Sequence, residues 1–229
     1  MKILHNTVFK SDFVLYNFIM KNILFDLDGT LTDPHEGIIK SIKYALDKLN
    51  APIPSHNKLK KYIGPPLWES FKEMLNTDSD AEANKGVMLY RERFSTKGLF
   101  ENQPYDGIDT ALSYLNNKGY ALYICTSKPQ VFAKQIAEYF GFDHYFKGIY
   151  GSNLDGSLVD KSHLISHILQ KENLLSVNSS MIGDRRYDIQ GACNNKVTPY
   201  GVSYGFGSPD ELKDAVRIFN TPVEITEHF

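Results

Sequence analysis

One segment constrains the fold of this chain more than any other. Residues 22–32 read Asn-Ile-Leu-Phe-Asp-Leu-Asp-Gly-Thr-Leu-Thr, which predicts a buried strand over residues 23–27 with two carboxylates, Asp26 and Asp28, at its end. Side chains two positions apart in an extended segment point the same way, so both carboxylates can reach one reaction centre. Neighbouring carboxylates repel each other unless a cation or a shared proton intervenes, and Mg2+ prefers oxygen ligands. The segment therefore favours a divalent-cation site, with a plain acidic turn as the alternative.

Composition narrows the class of protein. The 229 residues, 42% of them hydrophobic, suffice for one large domain or for a core domain with a smaller inserted one. A net charge of −2 provides no overall field for nucleic acid or an anionic membrane, so we expect neither as a partner. Two cysteines, Cys125 and Cys193, cannot build a disulfide framework and lack the spacing of a zinc site. This usage favours a cytoplasmic location.

The first 19 residues form a segment of their own. Polar residues interrupt their apolar ones, so they match neither a signal peptide nor a membrane span. Met20 stands just before the first predicted strand. We interpret residues 1–19 as an N-terminal extension, produced either by an upstream translation start or as a true part of the protein.

Apolar runs alternate with helical patterns through most of the chain. Further strands are predicted at residues 121–126, 148–150, 180–182 and 198–202, and helices at residues 108–118, 129–140, 161–172 and 210–219. This alternation predicts an α/β fold with a doubly wound, mostly parallel, Rossmann-like sheet. Ligands of such sheets bind at the carboxyl ends of the strands.

Residues 34–103 interrupt this alternation. They show helical periodicity, with helices predicted at 37–49 and 67–75, and no convincing strand. The stretch is too long for a simple connection. We therefore interpret residues 34–103 as an inserted helical cap domain, and residues 20–33 together with 104–229 as the core domain.

Polar groups follow three other predicted strands. Thr126 and Ser127 end one strand ahead of a helix, where a hydroxyl and free N–H groups can receive an anion. Lys161 opens the next helix, and Asp184 and Asp188 follow an apolar strand within Gly-Asp-x-x-x-Asp. Each group also has an ordinary structural explanation: a helix cap, a solvated lysine, or acids that interact with a helix dipole.

Taken in order, these segments resemble the motifs of the haloacid dehalogenase-like (HAD) phosphohydrolases. The set comprises Asp-x-Asp-Gly-Thr at 26–30, Thr126, Lys161 and Gly-Asp-x-x-x-Asp at 183–188. The resemblance extends from about residue 20 to near the end of the chain and includes a helical cap after the first motif. Within the family, the segment Thr-Ser-Lys-Pro at 126–129 is most similar to the bacterial phosphoglycolate phosphatase and 5′-nucleotidase-like branch.

The resemblance implies a two-step phosphatase mechanism. Asp26 would attack phosphorus and form an aspartyl-phosphate, while Asp28 would protonate the leaving alkoxide and then activate water. Mg2+ would be held by the carboxylates of Asp26 and Asp184 and by the backbone carbonyl of Asp28. Haloacid dehalogenases lack an acid at the position of Asp28, because a halide leaves without a proton.

The resemblance also assigns binding roles. Thr126, the Ser127 amide and Lys161 would hold the phosphate oxygens. Asp188 would orient Lys161 or the water around the metal. In the cap, specificity would fall to a loop that contains Gly64 and Pro65, and to Arg91, which could meet a substrate carboxylate. Arg91 could equally be a solvated helical residue.

Several functions remain open from the sequence. The leading one is a Mg2+-dependent phosphatase of a small phosphorylated metabolite, similar to phosphoglycolate phosphatase and acting as a monomer or homodimer. Phosphoglycolate phosphatases frequently carry Asn at the position of Ser127, and a 5′-nucleotidase acting on nucleoside monophosphates is an alternative. A sugar phosphomutase shares the same apparatus. Outside enzymes, the alternatives are a phosphoacceptor module, which has no cap and no acid at the position of Asp28, and a partner-binding module.

Overall fold

The computed structural model describes residues 21–229, so the predicted extension at residues 1–19 lies outside the described residues. Within that range the chain forms eight strands. In chain order they are β1 (Asn22–Phe25), β2 (Thr32–Asp33), β3 (Gln103–Pro104), β4 (Ala121–Pro129), β5 (Phe146–Ser152), β6 (Ser179–Gly183), β7 (Thr198–Val202) and β8 (Arg217–Phe219).

Nine α-helices accompany these strands in the described part of the chain. They are α1 (His35–Lys48), α2 (His56–Leu59), α3 (Leu67–Leu75), α4 (Asp80–Arg93), α5 (Ile108–Asn117), α6 (Gln130–Phe140), α7 (Lys161–Lys171), α8 (Arg186–Asn194) and α9 (Pro222–His228). No helix among residues 21–229 combines the length and the apolar character that a membrane crossing requires.

Six strands form one parallel sheet in the order β5-β4-β1-β6-β7-β8. Strand β1 lies between β4 and β6, with Ile23 opposite both Leu122 and Ser180. Because every neighbouring pair in this sheet is parallel, the strands end at one common edge. The predicted α/β fold with a doubly wound, mostly parallel sheet is confirmed, and that edge is where ligands of such sheets bind.

The sheet is buried on both faces. Side chains alternate along β1, so Ile23 and Phe25 join one apolar cluster while Leu24 joins the other. The cluster around Leu24 includes Leu164 and Ile168 of α7. Burial on both faces explains why the first strand is a continuous apolar run with no alternation of polar residues.

One predicted helix is wrong. Residues 210–219 form a short 3-10 helix at Pro209–Leu212 followed by the edge strand β8, where a single helix was predicted. Strand β8 has only three residues and pairs with β7, where Gly201 faces Ile218. A strand of three residues is too short to show the alternation of apolar and polar residues that predicts a strand. Residues 217–219 are extended because they pair with β7.

Other boundaries shift slightly. Helix α6 begins at Gln130, one residue after the predicted start at Pro129, because strand β4 continues through Pro129. No separate helix was predicted at α2, α4 or α9, although α2 and α4 lie within residues 34–103, which were predicted to be helical. In α4 the apolar residues are sparse along the helix, so its helical periodicity is weak in the sequence.

The helical segment between β2 and β3 begins and ends at neighbouring positions beside the sheet. Strands β2 and β3 pair in antiparallel fashion, with Thr32 opposite Pro104. Helices α1 and α4 pack against each other, and α3 packs against α4. The residues between β2 and β3 are called the helical insert below; the boundaries 34 and 103 of a separate cap domain stay a prediction.

The two cysteines have opposite environments, and this can be tested. Cys125 is fully buried in β4, and burial raises the pKa of its thiol to about 12, whereas Cys193 is exposed. Because only a thiolate reacts, we expect the native protein to incorporate one equivalent of iodoacetamide at pH 8, at Cys193. Peptide mass mapping identifies the labelled site, and unfolded protein should incorporate two equivalents. Labelling of Cys125 in the native protein would contradict the buried position of β4.

Candidate active site

Three carboxylates meet at the common edge of the sheet. Asp26 follows β1, Asp184 follows β6, and Asp188 lies in the first turn of α8. Each offers an oxygen that lies within 4.8 Å of the others. All three side chains are buried, so water does little to screen their mutual repulsion. The structure thus brings together Asp26 and Asp184, which were predicted to bind the metal, and Asp188, which was predicted to orient Lys161 or the water around the metal.

The loop after β1 packs directly against Asp184. Gly29 has a φ of +88°, and a Cβ atom at this position would lie 2.3 Å from Asp184 Oδ2. A residue with a side chain would therefore be strained and would also displace the carboxylate. The Phe206 amide donates a hydrogen bond of 2.7 Å to Asp184 Oδ2. The other oxygen, Oδ1, is buried and has no hydrogen-bond partner within the described residues 21–229.

The carboxylate cluster suits a hard cation. Burial, together with the nearby charges of Asp26 and Asp188, raises the pKa of Asp184 well above its ordinary range. A buried carboxylate oxygen without a donor is costly unless it gains a proton or a cation. The three carboxylates offer oxygen ligands, which are the ligands that a divalent ion such as Mg2+ prefers. The cluster Asp26, Asp184 and Asp188 could therefore hold the predicted metal.

Lys161 is the ammonium group of the cluster. It begins α7, as predicted, and its Nζ lies 2.9 Å from Asp26 Oδ1 and 2.7 Å from Asp188 Oδ1. Nζ also donates a 2.8 Å hydrogen bond to the Cys125 carbonyl. Burial lowers the pKa of Lys161, but the two carboxylates outweigh this effect and raise it above its ordinary value. Lys161 is therefore a fixed positive charge beside Asp26.

Asp188 and Arg185 are joined at the start of α8. The Asp188 Oδ2 atom accepts a 3.1 Å hydrogen bond from the Arg185 amide, and its Oδ1 faces Lys161 Nζ. The carboxylate is 1% exposed. Asp188 is thus paired with Lys161 and also belongs to the acidic cluster, while its orienting role stays a prediction.

Asp28 lies apart from this cluster. Its Oδ2 is 2.8 Å from Lys128 Nζ, and its Oδ1 is buried without a hydrogen-bond partner in the part of the chain that the structure describes. Burial raises the pKa of Asp28, and the adjacent ammonium of Lys128 offsets part of this rise. The Asp28 carboxyl is therefore more easily protonated than an ordinary aspartate, a property that suits a proton donor.

Lys128 is a site residue that the sequence reasoning did not single out. Its side chain is 5% exposed, and its Nζ lies over the ring of Phe94 in the helical insert, 4.6 Å from the centroid. The only sequence signal was position, since a lysine immediately follows Thr126 and Ser127. A lysine is seldom buried without a paired charge, and the pairing with Asp28 depends on two segments that are remote in sequence.

Thr126 and Ser127 lie in β4 and not at a helix start. The strand continues to Pro129, so the prediction of an anion cradle at the opening of a helix is wrong in its detail. Thr126 Oγ1 accepts a 3.2 Å hydrogen bond from the Lys128 amide. Ser127 Oγ donates a 3.1 Å hydrogen bond to the Val159 carbonyl. Both residues nevertheless line the same cavity as Asp26 and Lys161.

A cavity of about 530 Å³ covers these groups. Its floor carries Asp26, Asp28, Thr126, Lys128 and Lys161 from the sheet edge. Its opposite wall comes from the helical insert and is largely aromatic or apolar; it includes Tyr62, Pro65, Leu67, Trp68, Val87, Tyr90 and Phe94. The cavity therefore combines a charged floor with an apolar wall.

The predicted specificity residues lie at this wall, and they also join the insert to the sheet region. Gly64 has a φ of +100°, and a Cβ atom there would lie 3.1 Å from the Arg185 guanidinium. Arg185 donates to the Ile63 carbonyl and lies 2.9 Å from Glu211. Arg91 donates a 2.9 Å hydrogen bond to the Leu154 carbonyl.

Comparison with known proteins agrees with this geometry. Residues 23–202 match the family model described as haloacid dehalogenase-like hydrolase. A 5′-nucleotidase of Pseudomonas aeruginosa is 50% identical over 192 residues, covering 84% of this chain and 86% of the relative. The crystal structure of a predicted phosphatase from Clostridium acetobutylicum superimposes with a TM-score of 0.87 at 46% identity, covering 91% of this chain and 98% of the other.

Two further relatives carry other names. Tyrosine-protein kinase PtkA of Mycobacterium tuberculosis is 35% identical over 188 residues, or 82% of this chain, which spans 64% of the length of PtkA. A phosphoglycolate phosphatase of Neisseria gonorrhoeae is 27% identical over 220 residues, covering 90% of this chain and 92% of the relative. The resemblance found in the sequence is confirmed: the chain belongs to the haloacid dehalogenase-like hydrolases.

Proposed function

We propose that the protein is a Mg2+-dependent phosphatase that hydrolyses a small phosphomonoester through an aspartyl-phosphate on Asp26. One observation carries the proposal: Asp26 lies 2.9 Å from the ammonium of Lys161, inside a cluster of buried carboxylates and on the floor of a cavity. A carboxylate nucleophile splits a difficult phosphoryl transfer into two easier steps.

The chain's own residues supply the binding of the phosphoryl group. The Lys161 ammonium would pair with a phosphate oxygen, and the Thr126 hydroxyl and the Ser127 amide would donate to the other oxygens. Asp26 and Asp184, with Asp188 nearby, would hold Mg2+. The cation would offset the repulsion between the anionic nucleophile and the anionic phosphate.

Asp28 would move the protons. Its carboxyl lines the same cavity as Asp26, and burial raises its pKa although the Lys128 ammonium offsets part of the rise, so the carboxyl can carry the proton that a leaving alkoxide needs. Once the proton has left, the carboxylate can accept a proton from the water that attacks the aspartyl-phosphate. The helical insert covers the site and limits access of other water.

The cavity favours a nucleoside 5′-monophosphate as substrate over phosphoglycolate, which the sequence placed first. A space of about 530 Å³ lies within the range for drug-sized ligands, and its aromatic wall suits a flat base. Of the two arginines in the cavity lining, Arg185 is paired with Glu211, whereas Arg91 donates one hydrogen bond to a backbone carbonyl and keeps its charge. The choice of a nucleotide therefore rests on the size and the aromatic wall of the cavity. The 5′-nucleotidase with 50% identity supports the same choice.

The proposed nucleophile can be tested by Asp26→Asn. Because the amide cannot attack phosphorus, we expect phosphate release to fall about 10³-fold or more while the fold is retained. Phosphate release is measured by a colorimetric assay with Mg2+, and Asp214→Asn, on the exposed surface, is the matched control. Activity of Asp26→Asn equal to that of the control would remove Asp26 as the nucleophile.

Metal binding can be tested without any substrate. Because Mg2+ would relieve repulsion among buried carboxylates, a concentration of 100 times its Kd should add about 2.7 kcal/mol to the free energy of unfolding, which raises Tm by about 5–10 °C. Asp184→Asn should lose this response, since an amide binds a hard cation poorly. Scanning calorimetry with and without EDTA gives both values. An unchanged Tm in the unmodified protein would refute the metal site.

The substrate class can be tested by a phosphate-release screen with nucleoside 5′-monophosphates, phosphoglycolate and sugar phosphates. We expect kcat/KM for the best nucleotide to exceed that for phosphoglycolate at least about tenfold, the value of roughly 1.4 kcal/mol of added binding. Phosphoglycolate as the best substrate would reverse the choice. Isomerisation of a sugar phosphate would identify a mutase, and transfer of label from ATP to a tyrosine peptide would match the name of PtkA.

A further inference from the structure

The ion pair between Lys128 and Asp28 is not needed for binding phosphate in the mechanism above. Lys128 Nζ lies 2.8 Å from Asp28 Oδ2, and the two side chains are 5% and 13% exposed. A buried ion pair carries a large desolvation cost, so such a pair is weak evidence for stability alone. Its position on the cavity floor calls for a functional explanation.

The pair fixes one of the two oxygen atoms of the Asp28 carboxyl. Lys128 holds Oδ2, while Oδ1 is enclosed by protein and has no hydrogen-bond partner among residues 21–229. A carboxyl with one oxygen held in this way has a defined orientation. The Asp28 side chain is 13% exposed and lines the cavity shared with Asp26, where the leaving group of a substrate would sit.

Lys128 in turn contacts the helical insert. Its ammonium lies 4.6 Å from the ring centroid of Phe94, inside the distance at which a cation is attracted to an aromatic face. Phe94 stacks on Tyr90 at 5.1 Å and meets the edge of Phe132 of α6 at 5.7 Å. The ring is therefore held in place by both the insert and the sheet region.

We propose that Lys128 is a positioning residue that aligns Asp28 with the leaving group and makes this alignment depend on Phe94 of the helical insert. With the insert in place, the Phe94 ring fixes the ammonium and the ammonium fixes the carboxyl. Without that contact, Lys128 gains freedom and Asp28 loses its orientation. The inference rests on the proposed function, because it assigns a partner to the proposed proton donor.

The proposal can be tested by the dependence of the rate on the leaving group. Benzyl phosphate releases a strongly basic alkoxide that needs a proton, whereas p-nitrophenyl phosphate, of similar size, releases a weakly basic phenolate. In Lys128→Met, which keeps the apolar length of the side chain, we expect kcat/KM to fall about 10²-fold for benzyl phosphate. For p-nitrophenyl phosphate we expect a fall at least about tenfold smaller.

Two variants distinguish positioning from simple packing. Lys128→Arg keeps a cation near Asp28 and should recover part of the benzyl phosphate activity, whereas a packing role would be filled better by methionine. Lys134→Met, the same change at an exposed position of α6, is the matched control and should behave as the unmodified protein. Equal losses for both esters in Lys128→Met, or no loss, would overturn the proposal.

A double-mutant cycle tests the dependence on Phe94. Phe94→Leu removes the aromatic face and should produce the same leaving-group-dependent loss at smaller size, even if Lys128→Met fails to fold. In the Lys128→Met background the same change should add nothing to that loss, because the two residues act in sequence. Additive losses would overturn the link to the insert. If the unmodified protein releases phosphate from no compound of the substrate screen, the proposed function fails, whereas the ratio of the two ester rates in the variants bears on this inference alone.

Discussion

Repulsion among buried carboxylates at one edge of a parallel sheet is the constraint on which the site depends. Asp26, Asp184 and Asp188 approach within 4.8 Å, and Lys161 supplies an ammonium group among them. In a medium that screens charge poorly, such a cluster is tolerated only with protons or a further cation. The same unfavourable electrostatics that would weaken an ordinary core makes this edge of the sheet a candidate site for a cation.

Apolar packing of the sheet offsets the free-energy cost of bringing these charges together. Strand β1 lies between β4 and β6, and the apolar side chains of all three are covered on both faces. Asp26 and Asp184 extend from strand ends within this packing, and Asp188 lies in the first turn of α8, so the three side chains have little freedom to move apart. Close packing of Gly29 against Asp184 adds to the restriction. Stability comes from the apolar layers, and the edge of the sheet carries the chemistry.

Much of this could be predicted from the sequence, for identifiable reasons. Long apolar runs bounded by turn residues mark the central strands, and acids placed directly after them identify Asp26 and Asp184. Strand β8 was not predicted, because three residues are too few to show an alternation of apolar and polar side chains. Its extended form depends on pairing with β7, which the local sequence does not reveal. The role of Lys128 escaped for the same kind of reason, since its partners Asp28 and Phe94 come from distant segments.

The antiparallel pairing of Thr32 with Pro104 has a wider consequence. Paired strands lie roughly 4.8 Å apart, so the chain departs toward the helices and returns at almost the same point. Because the helical insert begins and ends at neighbouring positions, its length and shape place no constraint on the distance between strands of the sheet. In an enzyme built this way, the helices that cover the cavity could be exchanged without moving the strand ends that carry Asp26 and Asp184.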